Sequence, residues 1–329
     1  MKKLINGTEH VLAESLAGFA AAHADIVSLG SEDKFVRRRE LTSGKVALIS
    51  GGGSGHEPLH AGFVGRGMLD AACPGQVFTS PTPDQMVAAV EAVETGKGCL
   101  FIVKNYEGDV MNFQMAADLA GKEIATVLTD DDVAVEASTW STGRRGVAGT
   151  LIVEKIVGAA AEKGASLAEL KALGDQVNRR TRSMGVALTS CTVPAAGKPT
   201  FSLGDDEMEM GVGIHGEPGR RRVKLSSADA IAEEMVGAIV GDLGLARGTN
   251  TLLLVNGFGG TPAMELYVMV NSALRVLRAK GVQVTRFLTG SYVTSLEMAG
   301  CSITVSVFDD ALCGLWDAPV HTAALRWGI

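Results

Sequence analysis

Two histidines of this sequence stand in glycine-rich segments with nearly the same ending. His215 lies in GVGIHGEPG, residues 211–219, and His56 lies in GGGSGHEP, residues 51–58. Glycine lets a backbone turn sharply and lets a ligand come close, whereas a histidine that packs in a core needs no such neighbours. An imidazole beside a small polar ligand can give or take a proton. The two segments are therefore candidates for ligand contact.

A lysine and an aspartate in the segment KNYEGD, residues 104–109, extend this set. Lys104 follows the apolar run CLFIV, which predicts a buried strand, and Asp109 lies in the loop expected after it. Open parallel sheets bind ligands beyond the carboxyl ends of their strands. Each residue alone is more often structural. Together with His56 and His215, they offer a cation, a carboxylate and two imidazoles, enough for proton transfer on a small polar molecule.

The glycine-rich segment 51–58 is a poor match to nucleotide-binding motifs. The P-loop, G-x-x-x-x-G-K-[ST], uses a lysine to reach the phosphates, and GGGSGHEP contains no lysine. The dinucleotide pattern G-x-G-x-x-G fits Gly51 and Gly53 but meets His56 at its last position. We therefore expect no nucleotide site of either kind here.

Other charged or metal-like patterns have simpler interpretations. HEPLH, residues 56–60, matches the zinc motif HExxH, but that motif needs both histidines on one helical face. Pro58 favours a helix that begins after His56, so we predict no metal site. DDD, residues 130–132, predicts a solvated turn, with cation binding as the less favoured alternative. RRR, residues 220–222, predicts an exposed loop, with docking of an acidic partner as the less favoured alternative.

The composition bounds the protein class. The chain has 329 residues, 46% of them hydrophobic, and a net charge of −7, which argues against general binding to nucleic acids or anionic membranes. We find no signal peptide and no apolar run approaching the roughly 20 residues that span a bilayer. Five cysteines without CxxC spacing predict reduced thiols in a cytoplasmic protein.

Strand-like and helical runs alternate along the chain and predict an α/β fold. In residues 1–183, apolar runs such as KVALIS and GCLFIVKN alternate with helical patterns, which predicts a doubly wound, mostly parallel sheet. The first helix is expected over residues 8–22, with Thr8 as a possible cap. Residues 184–329 predict a second α/β or α+β domain, which carries His215.

Several blocks together resemble the dihydroxyacetone kinase family, specifically its substrate-binding (K) subunit, over nearly the whole chain. The blocks are GGGSGHEPLHAGFVGRGMLDAACPGQVFTSPTPDQ, KNYEGDVMNF, DDDVAV, GRRGVAGT, CTVPAAGKP, MGVGIHGEPG and LWDAPVHT. The resemblance implies a homodimer of two-domain α/β subunits and a kinase acting on dihydroxyacetone. It also implies that His215 forms a covalent hemiaminal with the substrate carbonyl, and that His56 and Asp109 handle protons at the hydroxyl that accepts phosphate. Further substrate contacts are implied at Gly53, Ser54, Gly55 and Lys104.

A covalent bond would suit so small a substrate. A ligand gains at most about 1.5 kcal/mol per heavy atom, and glycerol, which has no carbonyl, cannot form the bond. On this hypothesis the glycines beside His215, Gly213 and Gly216, admit the ketone to the ring. Those beside His56 would offer backbone N–H groups to the substrate hydroxyls.

Members of the family that use ATP in one polypeptide carry a further nucleotide-binding domain, whereas this sequence stops at WGI. We therefore expect this chain to bind no cofactor itself and to require a separate kinase subunit that carries ADP or ATP with magnesium. In the phosphotransferase-linked systems, phosphoenolpyruvate recharges that nucleotide through a phosphohistidine carrier protein; a partner using free ATP is also possible. Another short ketose such as erythrulose, or a non-catalytic role as a carbonyl-binding regulator, remains an alternative.

Overall fold

The computed structural model describes residues 2–134, 143–217 and 219–329. Val135 and Pro218, which belong to two of the blocks quoted above, lie outside the described residues. The predicted α/β class is confirmed. The α-helices of the described ranges are α1 Val11–Ala22, α2 Pro83–Val93, α3 Glu107–Leu119, α4 Gly149–Glu162, α5 Leu167–Arg179, α6 Ala228–Leu243, α7 Ala263–Ala279 and α8 Asp310–Trp316. None of them is long and apolar enough to cross a membrane.

Fifteen strands in the described ranges form three sheets. They are β1 Val27–Leu29, β2 Val36–Arg38, β3 Ala47–Ser54, β4 Gly65–Arg66, β5 Ala71–Val77, β6 Cys99–Lys104, β7 Ile124–Thr129, β8 Thr181–Ala187, β9 Glu207–Met210, β10 Arg221–Lys224, β11 Asn250–Gly257, β12 Gln283–Gly290, β13 Gly300–Val307, β14 Val320–Thr322 and β15 Arg326–Trp327. A small sheet, β15-β14-β4, joins the last strands of the chain to its first half.

The first large sheet has the order β1-β2-β5-β3-β6-β7. Strands β5, β3, β6 and β7 run parallel, and β1 and β2 add an antiparallel edge. Side chains of β6 alternate between two hydrophobic clusters: Phe101 packs towards α2 and α3, and Leu100 and Ile102 pack towards α4. This period of two is what a strand buried on both faces requires. The predicted doubly wound, mostly parallel sheet is confirmed.

The second large sheet, β10-β9-β8-β13-β11-β12, is mainly antiparallel. Only β11 and β12 pair in parallel, whereas β13 pairs antiparallel with both β8 and β11. One face packs on α6 and α7, and the other contributes Leu252 and Leu254 to the cluster that also holds Leu100 and Ile102 of the first sheet. The two sheets therefore share one hydrophobic core.

Helix α4 lies in this shared core. Every residue from Gly149 to Ala161 is buried, as expected for a helix that is covered all round. The predicted boundary between residues 183 and 184 falls inside β8, which begins at Thr181. Because β8 belongs to the second sheet, a boundary drawn between the sheets would lie before Thr181. The two-domain organisation itself stays a prediction.

Three local predictions were wrong in detail. Helix α1 begins at Val11 rather than at residue 8, and the Thr8 hydroxyl donates to Glu9 instead of capping the helix. Strand β3 continues through the glycines to Ser54 rather than ending at Ser50. Asp109 lies in the first turn of α3 rather than in a loop. The last two differences place the candidate residues on regular elements.

The acidic run at residues 130–132 is not a solvated turn. Asp131 is fully buried and accepts hydrogen bonds from the backbone N–H groups of Val147 and Gly149, at 2.9 and 2.7 Å, and from the Ser183 hydroxyl. It therefore stabilises the start of α4, where backbone donors lack helical partners. Asp132 forms a buried ion pair with Arg145.

The arginine run at residues 220–222 was also predicted incorrectly as a loop. Arg221 and Arg222 belong to β10 at the edge of the second sheet, where they form ion pairs with Glu234 and Glu209. These acids of the same chain compensate part of the positive charge.

Replacement of Asp131 tests the role of its carboxylate in the fold. Asp131→Ala leaves the buried N–H groups of Val147 and Gly149 without this acceptor, at a cost of about 1–3 kcal/mol each, whereas the Ser183 hydroxyl keeps Thr304 as a partner. We expect a large drop in the free energy of unfolding measured by urea denaturation. Asp130→Ala is the control, since Asp130 is partly exposed and its side chain accepts from Asn178. Equal losses in the two variants would contradict this role.

Candidate active site

A cavity of about 710 Å³ lies beyond the carboxyl ends of three neighbouring parallel strands. Strands β5, β3 and β6 are adjacent in the first sheet, and the chain that follows them forms one wall. The loop that carries His215 forms the opposite wall. Residues lining the cavity include Gly53, Phe78, Ser80, Tyr106, Asp109 and His215. The site thus occupies the position that an open α/β sheet offers to a ligand.

His215 is held in one ring orientation by Glu217. The Nδ1 atom of His215 lies 2.8 Å from Glu217 Oε1, and the backbone N–H of His215 donates to Oε2 at 2.9 Å. Burial raises the pKa of Glu217, but the nearby His215 ring, its hydrogen bond and the Arg145 guanidinium outweigh burial and lower the pKa to about 2. An ionised carboxylate only accepts, so Nδ1 carries the proton. In the neutral form of the imidazole, Nε2 of His215 therefore carries the free lone pair.

Three rings surround the imidazole of His215. The ring centroids of His56 and Tyr106 both lie 4.6 Å from that of His215, and the centroid of Phe78 lies 5.2 Å away, all edge-to-face. Phe78 also stacks on His56 at 5.1 Å. Phe78 adopts a φ of 56°, a left-handed conformation that costs energy in a residue with a side chain. The packing restricts the rotamers of both histidines.

His56 presents a buried lone pair. Its Nδ1 lies 2.8 Å from the carbonyl oxygen of Thr294, so Nδ1 donates and Nε2 is unprotonated. Burial, together with the charges of His215 and Lys104, holds the pKa of His56 well below its usual value. Nε2 has no hydrogen-bond partner among the described residues. The ring is therefore a neutral proton acceptor.

Asp109 presents a second buried acceptor. Its Oδ1 atom has no hydrogen-bond partner among the described residues, and its Oδ2 atom lies 3.6 Å from Lys104 Nζ. Asp109 is 3% exposed and Lys104 is fully buried. Buried polar atoms normally find partners, so two unpartnered acceptors beside one cavity indicate a ligand with donors.

The structure brings together most of the candidate residues, but not all. Gly53, Asp109 and His215 line the cavity, with His56 and Lys104 beside them. Two others face the protein: the Ser54 hydroxyl donates to the Gly75 carbonyl at 2.7 Å, and the Gly55 N–H donates to the carboxylate of Glu57.

The glycines near His56 and His215 have a structural role that the sequence did not reveal. A Cβ at Gly213 would lie 2.0 Å from the Glu217 carboxylate, and a Cβ at Gly52 would lie 2.1 Å from Lys104 Nζ. Gly216 has a φ of +76°, which favours glycine. Gly213 and Gly52 therefore leave room for the side chains of Glu217 and Lys104, and Gly216 allows the backbone to turn after His215.

The HEPLH segment forms no α-helix. Turns lead to a short 3-10 helix, Ala61–Phe63, and no cluster of three or more histidine, cysteine or acidic side chains suited to a metal occurs in the described ranges. All five cysteines are free thiols.

Sequence reasoning missed the residues that orient the site. Tyr106, Phe78 and Glu217 lie within the quoted blocks, but they have the types of ordinary core or loop residues. A signal for Glu217 was present, because a carboxylate two residues after a histidine can reach its ring. Nothing in the sequence singled out Tyr106 or Phe78.

The comparison with known families finds one match over most of the chain. Residues 17–324 match the Dak1 domain. A relative from Listeria innocua, named PTS-dependent dihydroxyacetone kinase 1, dihydroxyacetone-binding subunit DhaK, is 52% identical and covers 98% of this chain and 100% of its own.

Two solved structures resemble the fold closely. The dihydroxyacetone kinase from C. freundii, solved with AMP-PNP and Mg²⁺, has a TM-score of 0.91 and 32% identity, and the match covers 99% of this chain and 61% of that one. The dihydroxyacetone kinase operon co-activator Dha-DhaQ has a TM-score of 0.90 and 34% identity, with coverage of 94% and 97%. The family and the fold agree, and this chain belongs to the dihydroxyacetone kinase family of phosphotransferases, in the group defined by the Dak1 domain.

Proposed function

We propose that this chain is the dihydroxyacetone-binding subunit of a dihydroxyacetone kinase and that it presents the substrate hydroxyl to a separate nucleotide-carrying subunit. The observation that carries this proposal is the pair of buried, unpartnered acceptors, His56 Nε2 and Asp109 Oδ1, beside the ring of His215. Two proton acceptors and one nucleophile match the needs of a small hydroxyketone.

In the first step, the Nε2 lone pair of His215 adds to the ketone carbon. The carbonyl π electrons move to oxygen, which takes one proton from water, and the Nδ1 proton of the imidazole passes by way of Glu217 to solvent, so that the carboxylate ends the step ionised as it began. The product is a neutral hemiaminal, and no group leaves. Glu217 supports this step because it accepts the Nδ1 proton at 2.8 Å and increases the electron density of the ring.

In the second step, a terminal hydroxyl oxygen attacks the phosphorus of the donor nucleotide. Its proton passes to Asp109 Oδ1, the nucleoside diphosphate leaves, and His56 Nε2 accepts a hydrogen bond from the substrate. Phosphoryl transfer depends mostly on positioning and on stabilisation of charge, so acceptor and donor sites can lie on different subunits.

The separate nucleotide subunit is supported by the name of the Listeria innocua relative, which describes that protein as the dihydroxyacetone-binding subunit of a kinase. The relative's description as PTS-dependent supports phosphoenolpyruvate as the ultimate donor, through a phosphohistidine carrier. The homodimer, the cytoplasmic location and the choice of dihydroxyacetone over erythrulose stay predictions.

A second candidate function is that of a regulator. It is favoured by the likeness to the operon co-activator Dha-DhaQ. A sensor would need His215 to bind a carbonyl but would have no need for Asp109 as a base. Substitution of Asp109 should therefore impair a kinase subunit but leave carbonyl binding by a regulator intact.

The isolated chain should bind dihydroxyacetone but not ATP. The glycines Gly51–Gly53 pair with β5 in the sheet rather than forming a phosphate-binding loop. Calorimetry on one sample should give heat with the ketone and none with ATP, and phosphorylation should appear when the nucleotide subunit is added. Micromolar affinity for ATP would contradict the division of labour.

Asp109→Asn should retain ketone binding but reduce turnover by about 10²–10⁴-fold, the usual contribution of general base catalysis. The amide keeps the shape of the side chain but accepts no proton. Asp118→Asn, at an exposed position of the same helix, is the matched control and should turn over normally. Normal turnover by Asp109→Asn would rule out this base and favour the regulator.

His215→Ala should weaken dihydroxyacetone binding sharply and remove the preference over glycerol. The remaining contacts are hydrogen bonds, which a triol makes as well as a ketone. Affinities of the folded variant for both ligands, measured by calorimetry, give the ratio. The control variant His10→Ala, at an exposed position, should keep the wild-type preference for dihydroxyacetone over glycerol. A selectivity that survives loss of His215 would indicate that this histidine is only structural.

A further inference from the structure

The ammonium group of Lys104 is hydrogen-bonded to His60 rather than to Asp109. Lys104 Nζ lies 2.9 Å from His60 Nε2 and 3.3 Å from the carbonyl oxygen of Gly51, but 3.6 Å from Asp109 Oδ2. The last distance permits charge attraction but exceeds a hydrogen bond. The lysine is therefore held back from the carboxylate that we propose as the base.

His60 is itself anchored to Glu154. An ammonium only donates, so His60 Nε2 accepts and the ring proton lies on Nδ1. That proton points to Glu154 Oε1 at 2.6 Å. The Ser50 hydroxyl donates to the Ile102 carbonyl, which turns a lone pair of Ser50 Oγ towards His60 Nδ1 at 3.0 Å. The carboxyl group of Glu154, the imidazole of His60 and the ammonium of Lys104 are therefore linked in a row that ends beside Asp109.

All three linked side chains are buried. Glu154 and Lys104 are fully buried, and His60 is 6% exposed. Burial, with the charge of the neighbouring Lys104 ammonium, keeps the pKa of His60 well below its usual value, which preserves Nε2 as an acceptor. Burial also raises the pKa of Glu154 to about 8. So many ionisable groups in a core are costly for stability, which favours a functional reason.

We propose that Glu154 and His60 are positioning residues that hold the Lys104 ammonium out of hydrogen-bond contact with Asp109, so that the carboxylate remains free to take the substrate proton. The ionisable groups facing Lys104 are Asp109 from α3, His56 and His60 from the segment after β3, and Glu154 from α4. Of these, His60 accepts the short hydrogen bond. Without this hydrogen bond, the Lys104 ammonium would bind the Asp109 carboxylate and compete there with the substrate hydroxyl.

This inference rests on the proposed function for its meaning in turnover, but its physical part is measurable without a substrate. In His60→Leu, a closer ammonium favours the ionised carboxylate. The carbon-13 signal of the Asp109 carboxyl should therefore titrate at lower pH than in the wild type. Glu154→Gln should shift it in the same direction by less, because the amide oxygen still accepts from His60. Lys155→Met is the control, since Lys155 lies next to Glu154 on α4 but contacts Leu315 and Trp327 instead.

A double-mutant cycle then tests the route through Lys104. His60→Leu should lower kcat by about 10²-fold or more, the usual worth of a general base, with little change in ketone affinity. In the Lys104→Met background the same substitution should change kcat less than about twofold, because its effect needs the ammonium.

An unchanged Asp109 titration in His60→Leu, or equal kcat losses in both backgrounds, would overturn the proposal. If His60→Leu does not fold, Glu154→Gln replaces it in both experiments with the same criteria. A wild-type chain that never supports phosphorylation, together with a shifted Asp109 titration, would contradict the proposed function but leave the positioning of Lys104 intact.

Discussion

The hydrogen bond between His215 and Glu217 is the constraint on which the site depends. It decides which nitrogen of the ring carries the proton and which carries the lone pair. The carboxylate stays ionised in this buried position because the His215 ring, its hydrogen bond and the Arg145 guanidinium lower its pKa; Arg145 is itself paired with Asp132. The absence of a side chain at Gly213 leaves room for the same carboxylate. The motif GIHGEPG is therefore a single device for orienting one imidazole.

The parallel sheet supplies the other half of the site. Because β5, β3 and β6 are neighbours that point the same way, the chain beyond their ends converges on one place. Phe78, His56 and Asp109 meet there although they are distant in sequence. The shared core, with the buried helix α4 within it, fixes this wall relative to the wall of the second sheet that carries His215. The same helix carries Glu154, which contacts Lys104 through His60. Helix α4, which lies between the sheets, is thus also connected to Asp109, the candidate base.

The sequence predicted the class of the fold and its central strands such as β3 and β6, because apolar runs of five to eight residues between helical patterns have few other interpretations. It also selected His56, Lys104 and Asp109, because polar residues directly after such runs fall at one edge of the sheet, and His215, because its glycine neighbours suggested contact with a ligand. It failed where tertiary contacts decide. Asp131 resembles a solvated acid until the start of α4 lies against it. The glycines around His215 suggested access for a ligand, but the sequence did not show that the space at Gly213 holds the Glu217 carboxylate. His60 attracted notice only as part of a false zinc motif, since its partner Glu154 is 94 residues away.

The central claim is that His215 Nε2 forms a bond with the ketone carbon. The most direct test is nuclear magnetic resonance of the chain labelled with nitrogen-15 in histidine, mixed with dihydroxyacetone labelled with carbon-13 at the carbonyl. The account predicts that the ketone signal is replaced by a tetrahedral carbon coupled to one nitrogen, and that this coupling is lost in His215→Ala. A bound ligand whose carbon keeps the shift of a free ketone, with no coupling to nitrogen, would contradict it.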